Sequence, residues 1–229
     1  MLSKNKHTQL IILIDPDKYN PKLIDLINHS NVTYIFVGGS KLKSSSSLAK
    51  TIKSIKSKTN VPVIIFPGDE HQISKQADGI LMLSLISGRN SDYLIGKHVK
   101  VARKIKASKL TCIPTGYILV DGGKKSTTQK VTKTIALKTK KDIIDTAIAG
   151  ELIGNKLIYL EAGSGAQKTL SADVIKSVKK NISLPLIIGG GINSVEKAKK
   201  IIETNPDYLV VGNALEENPE LLIALNKLF

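Results

Sequence analysis

Glycines gather at the ends of short apolar runs in this 229-residue chain: Gly38-Gly39-Ser40, Gly163-Ser164-Gly165, Gly189-Gly190-Gly191 and Gly212-Asn213. Without a Cβ in the way, backbone N–H groups at such turns can approach an oxyanion, so the clusters suit phosphate binding. Tyr159-Leu160-Glu161-Ala162-Gly163-Ser164-Gly165 adds side-chain chemistry. Tyr159 and Glu161 are two residues apart and share one side of a strand. There a carboxylate can accept a hydroxyl proton or orient a hydroxylated substrate, and the phenol adds a hydrogen bond. Asp15, in Asp15-Pro16-Asp17-Lys18, offers a hard oxygen to Mg²⁺, and Ser40 offers a neighbouring hydroxyl. Magnesium takes few protein oxygens and fills its shell with water and substrate phosphates, so the pair suits a diphosphate. Each feature also has a plainer reading: glycines that only turn the chain, a Glu161 paired to a lysine at a rim, and an Asp-Pro that opens a turn.

The elements that must position these residues are eight apolar runs: Leu10 to Ile14, Tyr34 to Val37, Val61 to Phe66, Gly79 to Ile86, Leu110 to Val120, Lys156 to Leu160, Leu184 to Ile188 and Tyr208 to Val211. Most are continuous and rich in Ile, Leu and Val, as strands buried on both faces of a parallel sheet require. Helical patterns lie between them. One opens on Pro21, and another sets Leu48, Ile52 and Ile55 on one face; four more span 142–152, 171–178, 194–202 and 219–228, with Ser171 and Ser194 as caps. Residues 69–78 are too short and polar for a helix, and 122–138 read as a loop. Eight strands at about 29 residues per unit predict an α/β fold, a single (β/α)8 TIM barrel spanning 1–229, with an atypical short segment in place of the third helix. The rival open sheet is disfavoured because neither GxGxxG nor a P-loop occurs. In a barrel, the glycines after strands seven and eight fall where phosphate is commonly bound.

With 41% hydrophobic and 23% charged residues, the composition is that of a globular chain. Its formal charge of +15 is unevenly placed: Lys97 to Lys141 holds twelve Lys and one Arg against Asp121 alone, or +12. Such a stretch suits nucleic acid, an anionic membrane or a phosphorylated ligand, or is a solvated lysine surface. Tyr117 is its one aromatic, so the stacking platform of single-strand binders is missing. Cys112, the single cysteine, reads as a small core residue without a role. His7, His29, His71 and His98 read as surface or loop residues. Met1 to Thr8 is polar where a secretory signal would be apolar, and a cytoplasmic location is expected.

Asp15-Pro16-Asp17-Lys18, Val37-Gly38-Gly39-Ser40, Tyr159 to Gly165, Gly189-Gly190-Gly191-Ile192 and Val211-Gly212-Asn213 together resemble the geranylgeranylglyceryl phosphate synthase family, with its bacterial heptaprenylglyceryl phosphate synthase relatives. The resemblance implies a barrel prenyltransferase joining sn-glycerol 1-phosphate to a polyprenyl diphosphate with Mg²⁺. Carried over by position, Asp15 and Ser40 would be metal ligands. Tyr159, Leu160, Glu161, Ala162, Gly163, Ser164, Gly165, Gly189, Gly190, Gly191, Gly212 and Asn213 would hold the glycerol phosphate, with Glu161 and Tyr159 catalytic. Leu13 stands where the relatives using the longer prenyl chain have lysine, and Ala162-Gly163-Ser164-Gly165 where they have Tyr-Ser-Gly, which favours a geranylgeranyl donor. Lysines of the basic segment or Arg103 would assist the leaving diphosphate. Peripheral contact with a membrane and a homo-oligomer are expected, and no nucleic acid. The competing functions are another phosphate-binding barrel enzyme, such as a sugar-phosphate isomerase or cyclase, and a basic nucleic-acid-binding module.

Overall fold

The computed structural model describes residues 2–39, 42 and 45–229. Eight strands, β1 (Gln9–Ile14), β2 (Val32–Val37), β3 (Val63–Ile65), β4 (Gly79–Leu85), β5 (Thr111–Leu119), β6 (Leu157–Glu161), β7 (Leu186–Gly189) and β8 (Tyr208–Val211), close in chain order into a barrel of parallel pairs. The period-two geometry of a strand sorts the apolar runs into two cores. Ile11, Phe36, Ile64, Leu81, Tyr159 and Ile187 fill the interior. Their neighbours Leu10, Ile12, Ile35, Ile65, Leu160 and Ile188 pack outward against the helices.

Those helices are α1 (Pro21–Asn28), α2 (Ser45–Lys56), α3 (Lys97–Ser108), α4 (Thr127–Thr132), α5 (Lys140–Leu152), α6 (Ala172–Asn181), α7 (Val195–Ile202), α8 (Asn213–Glu217) and α9 (Leu221–Asn226). Ser171 and Ser194 cap α6 and α7 by accepting from Val174 and Lys197 N–H. No helix follows β3: residues 69–78 form turns, as expected from their polarity.

Two expectations need correction, and one helix goes beyond them. The basic stretch contains the helix that follows β4. Its lysines obscure an apolar stripe of Val101 and Ile105, and a π-helical turn (Asp92–Gly96) leads into it. Residues 122–138 are not all loop, because α4 begins there under a reciprocal cap: Ser126 Oγ accepts from Gln129 N–H, and Gln129 Oε1 accepts from Ser126 N–H. Cys112 is exposed rather than in the core. It is the second residue of β5, the longest strand, whose first two residues are exposed.

The far end of the barrel is plugged by Leu2, beneath Tyr34 and Tyr208. Asp207, almost fully buried, fixes this plug by accepting from the N–H groups of Asn5 and Leu186, each at 2.8 Å. Asp207→Ala should therefore strand a buried donor and lower unfolding free energy by about 2–4 kcal/mol. Urea denaturation reads this, and an unchanged midpoint would show that the tether carries no stability.

Candidate active site

A cavity of about 480 Å³ opens at the C-terminal ends of the strands, where βα loops of a barrel converge. Glu161 ends β6 inside it and pairs in register with Gly189 of β7. A Cβ on Gly189 would lie 2.3 Å from the Tyr159 hydroxyl and 2.8 Å from Glu161 Oε2; one on Gly190 would lie 2.3 Å from Glu161 Oε1. The floor beneath this carboxylate must therefore be glycine, and Gly190 also adopts φ +88°. Glu161 Oε1 accepts from Gly163 N–H at 2.7 Å. Burial nevertheless dominates and pushes the carboxyl from 4.5 up to about 7. Beside it, the fully buried Tyr159 hydroxyl faces the Glu161 carboxylate, and burial raises its pKa well above the phenol range.

Across the cavity, Ser164 Oγ donates to Asn213 Oδ1 at 3.0 Å, joining the turns after β6 and β8. Among the described residues, the N–H groups of Gly190, Gly191, Asn213 and Ala214 meet no acceptor, which leaves a set of donors facing an anion-sized space.

Asp15 lies directly after β1. Its Oδ1 accepts from Asp17 N–H at 2.9 Å, so the residue also opens a short 3₁₀ turn, while its carboxylate packs over Gly39. Both the turn reading and the ligand reading of this residue fit the geometry. Ser40 lies outside the described residues. Gln72, which sequence reasoning missed, fastens the neighbouring loops: Nε2 donates to Gly39 O at 2.8 Å, and Oε1 accepts from Gly68 N–H at 3.1 Å.

A second, apolar space of about 110 Å³ adjoins the first, and the two share Phe66, Tyr117 and Thr128. It runs between the turn segment after β3 and α3, reaching Ile80 and Ile105. The missing helix makes this groove possible. Four of the chain's nine aromatic residues, Phe36, Phe66, Tyr117 and Tyr159, cluster beside the junction at centroid spacings of 5.2–6.1 Å, mostly in tilted or edge-to-face pairs. An ion pair of 2.5 Å between Glu70 and Lys97 bridges the groove walls, and the hydrogen bond from Lys97 holds the Glu70 carboxyl down at about 2.

The model of the PcrB family matches residues 2–227. The chain belongs to the PcrB family. It is 45% identical over 220 residues to the geranylgeranylglyceryl phosphate synthase of Zunongwangia profunda, covering 93% of each chain. It is 37% identical to the enzyme of that name from Pyrococcus furiosus, over 95% of this chain and 88% of the relative. The crystal structure of (S)-3-O-geranylgeranylglyceryl phosphate synthase from Thermoplasma acidophilum with sn-glycerol-1-phosphate superposes at a TM-score of 0.91, with 31% identity, covering 97% of this chain and 93% of that one.

In this PcrB family member, Asp15, Tyr159, Glu161, Ser164, Gly165, Gly190, Gly191, Gly212 and Asn213 all line the polar cavity. Leu160, Ala162, Gly163 and Gly189 stand behind it: Leu160 packs outward, and Ala162 N–H donates to Gly189 O at 3.0 Å. Arg103 is exposed on the outside of α3, and no lysine of the basic segment lines this cavity. The lysine present is Lys18, paired with Glu216 at 2.8 Å. His98 is no simple surface residue. It is half-buried in the groove, its Nε2 is 3.0 Å from Leu83 O, and burial lowers its pKa. The aromatic positions Phe66 and Tyr117, at strand ends, were the available signal for the groove.

A carboxyl raised by folding stabilises the protein below about pH 4.5 and gives up that contribution as pH rises through about 7. Between pH 5 and 8, wild type should lose about 2–3 kcal/mol relative to Glu161→Gln in parallel denaturation series. Parallel curves would mean that Glu161 titrates normally.

Proposed function

We propose that the chain is a prenyltransferase that joins sn-glycerol 1-phosphate to a polyprenyl diphosphate, geranylgeranyl diphosphate being the donor, forming an ether and releasing diphosphate. One observation carries this reading: a polar, amide-lined cavity opens into an apolar groove across a shared aromatic junction. A sugar-phosphate isomerase would use the first space and have no need of the second. The names of relatives at 45% and 37% identity support the same activity.

The free amides after β7 and β8 bind the glycerol phosphate, with Ser164 and Asn213 joining the two turns. Glu161 holds the attacking hydroxyl and takes its proton; with a carboxyl near 7 it is ionised in part at neutral pH and basic enough to accept. Tyr159, in the same cavity wall, offers its hydroxyl to the same substrate. The prenyl tail lies in the groove, which places the allylic carbon beside Phe66 and Tyr117, whose ring faces stabilise positive charge as the carbon–oxygen bond breaks.

Among the described residues, no group of three acid, His or Cys side chains forms a metal cage. Asp15 alone, with its Oδ2 left over from the turn, fits Mg²⁺ held mainly by water and substrate phosphates. When bound, the ion neutralises charge on the leaving diphosphate. Lys18 supplies a second positive charge at that rim, in place of Arg103. Copies of the chain associate, in keeping with Leu152 and Ile153, exposed at 80% and 71%. Light scattering reads the mass, and a monomer at micromolar concentration would refute it.

Purified protein, labelled glycerol 1-phosphate, Mg²⁺ and a series of prenyl diphosphates should give a lipid-soluble labelled product. Asp15→Asn should lower turnover by about 10²-fold or more with an unchanged melt. Glu161→Gln should lower kcat by about 10²- to 10⁴-fold and abolish the acid limb near pH 7. Ile105→Trp, which fills the far groove, should shift preference towards shorter donors. Absence of product from every donor would refute the reading.

A further inference from the structure

No lysine of the +12 segment lines the polar cavity, yet these lysines are not scattered. Lys124, Lys125, Lys130, Lys133 and Lys138 line one open depression of about 550 Å³ on the outer side of α4. All five are exposed, and among the described residues none takes part in an ion pair. The one acid of the depression, Asp121, accepts from Gly123 N–H at 3.1 Å through Oδ1. A surface kept only for solubility would mix signs and avoid bare apolar groups. This one does neither: Ile135, 81% exposed, lies among the lysines, and Val131, 43% exposed, stands between Lys130 and Thr132.

The patch is also continuous with the groove. Val131 lines the groove from one side of α4, and Thr128 belongs to both the groove and the polar cavity. Because the segment follows β5, the lysines share the barrel end at which the cavity opens. Cations around projecting aliphatic side chains, beside an apolar slot, match the layering of an anionic bilayer, with phosphates outside and hydrocarbon within. A nucleic acid would instead ask for aromatic stacking, and no aromatic residue lines the depression.

We infer that the lysine-rich depression outside α4, with Ile135 and Val131, docks the barrel mouth on an anionic membrane surface. The purpose of such docking, loading and release of an isoprenoid chain at the interface, rests on the proposed prenyl transfer; the docking itself does not.

The test is sedimentation of the full chain with phosphatidylcholine vesicles holding about 30% phosphatidylglycerol, beside neutral vesicles. Wild type should bind the anionic vesicles at least tenfold tighter, and less as salt rises. Each lysine near such a surface is worth about fivefold in binding, so exchanging all five for Gln should remove binding by 10²-fold or more while the melt stays unchanged. Ile135→Ser should weaken binding severalfold and leave the salt slope intact. Turnover of detergent-dispersed donor should be unchanged in both variants. Equal binding to neutral vesicles, full binding by the five-Gln variant, loss of its detergent-phase turnover, or tighter binding of a mixed-sequence single-stranded RNA through the same lysines would each overturn the inference. Vesicle binding by a wild type that transfers no prenyl group would leave the docking in place and refute the proposed function instead.

Discussion

A carboxylate buried against backbone is the constraint around which this barrel mouth is built. Glu161 has one amide partner, the Tyr159 phenol beside it and glycine beneath it, so every neighbour within reach must be small or a donor. The demand passes down the chain in register. Gly189 is the β7 residue opposite Glu161, and Gly190 must turn with a positive φ immediately beyond. The same turn leaves its own amides unused, so the geometry that tolerates the carboxylate also creates the anion cradle beside it. The floor and the binding site are one piece of backbone.

Much of this was legible in the sequence because the signals were local. Unbroken Ile, Leu and Val runs announced parallel strands, and the polarity of residues 69–78 announced the absent helix. The Tyr-x-Glu spacing placed two functional groups on one face through nothing more than the pleat. What escaped was either non-local or masked. Lysines hid the apolar stripe of α3. Gln72 looks like any loop glutamine until the loops after β2 and β3 close on it. Cys112 lies between the buried Leu110 and Ile113, yet is itself exposed at the start of β5. The groove is made by the relation of a missing helix to a basic one, and no single segment encodes that.

Charge is divided between two tasks as well. Near the substrate cavity it is sparing and paired: Lys18 with Glu216, Asp15 shared with a turn. Outside α4 it is dense and unpaired. Six residues of helix separate the two regimes, with Thr127 and Thr128 facing the cavity and Lys130 the depression. A short helix whose cap is reciprocal can hold these faces apart without a long element to anchor it.

The gap after β3 bears on how a product would leave. A tail enclosed by helices on every side must slide out along its own length, like a thread from a needle. Here one side of the sheath is a stretch of turns, clasped to α3 by Glu70 and Lys97. Parting that clasp opens the sheath along its seam, so a long, stiff or branched tail can be lifted out sideways. Departure along that seam would depend on the ionic surroundings of one pair rather than on the length of the tail.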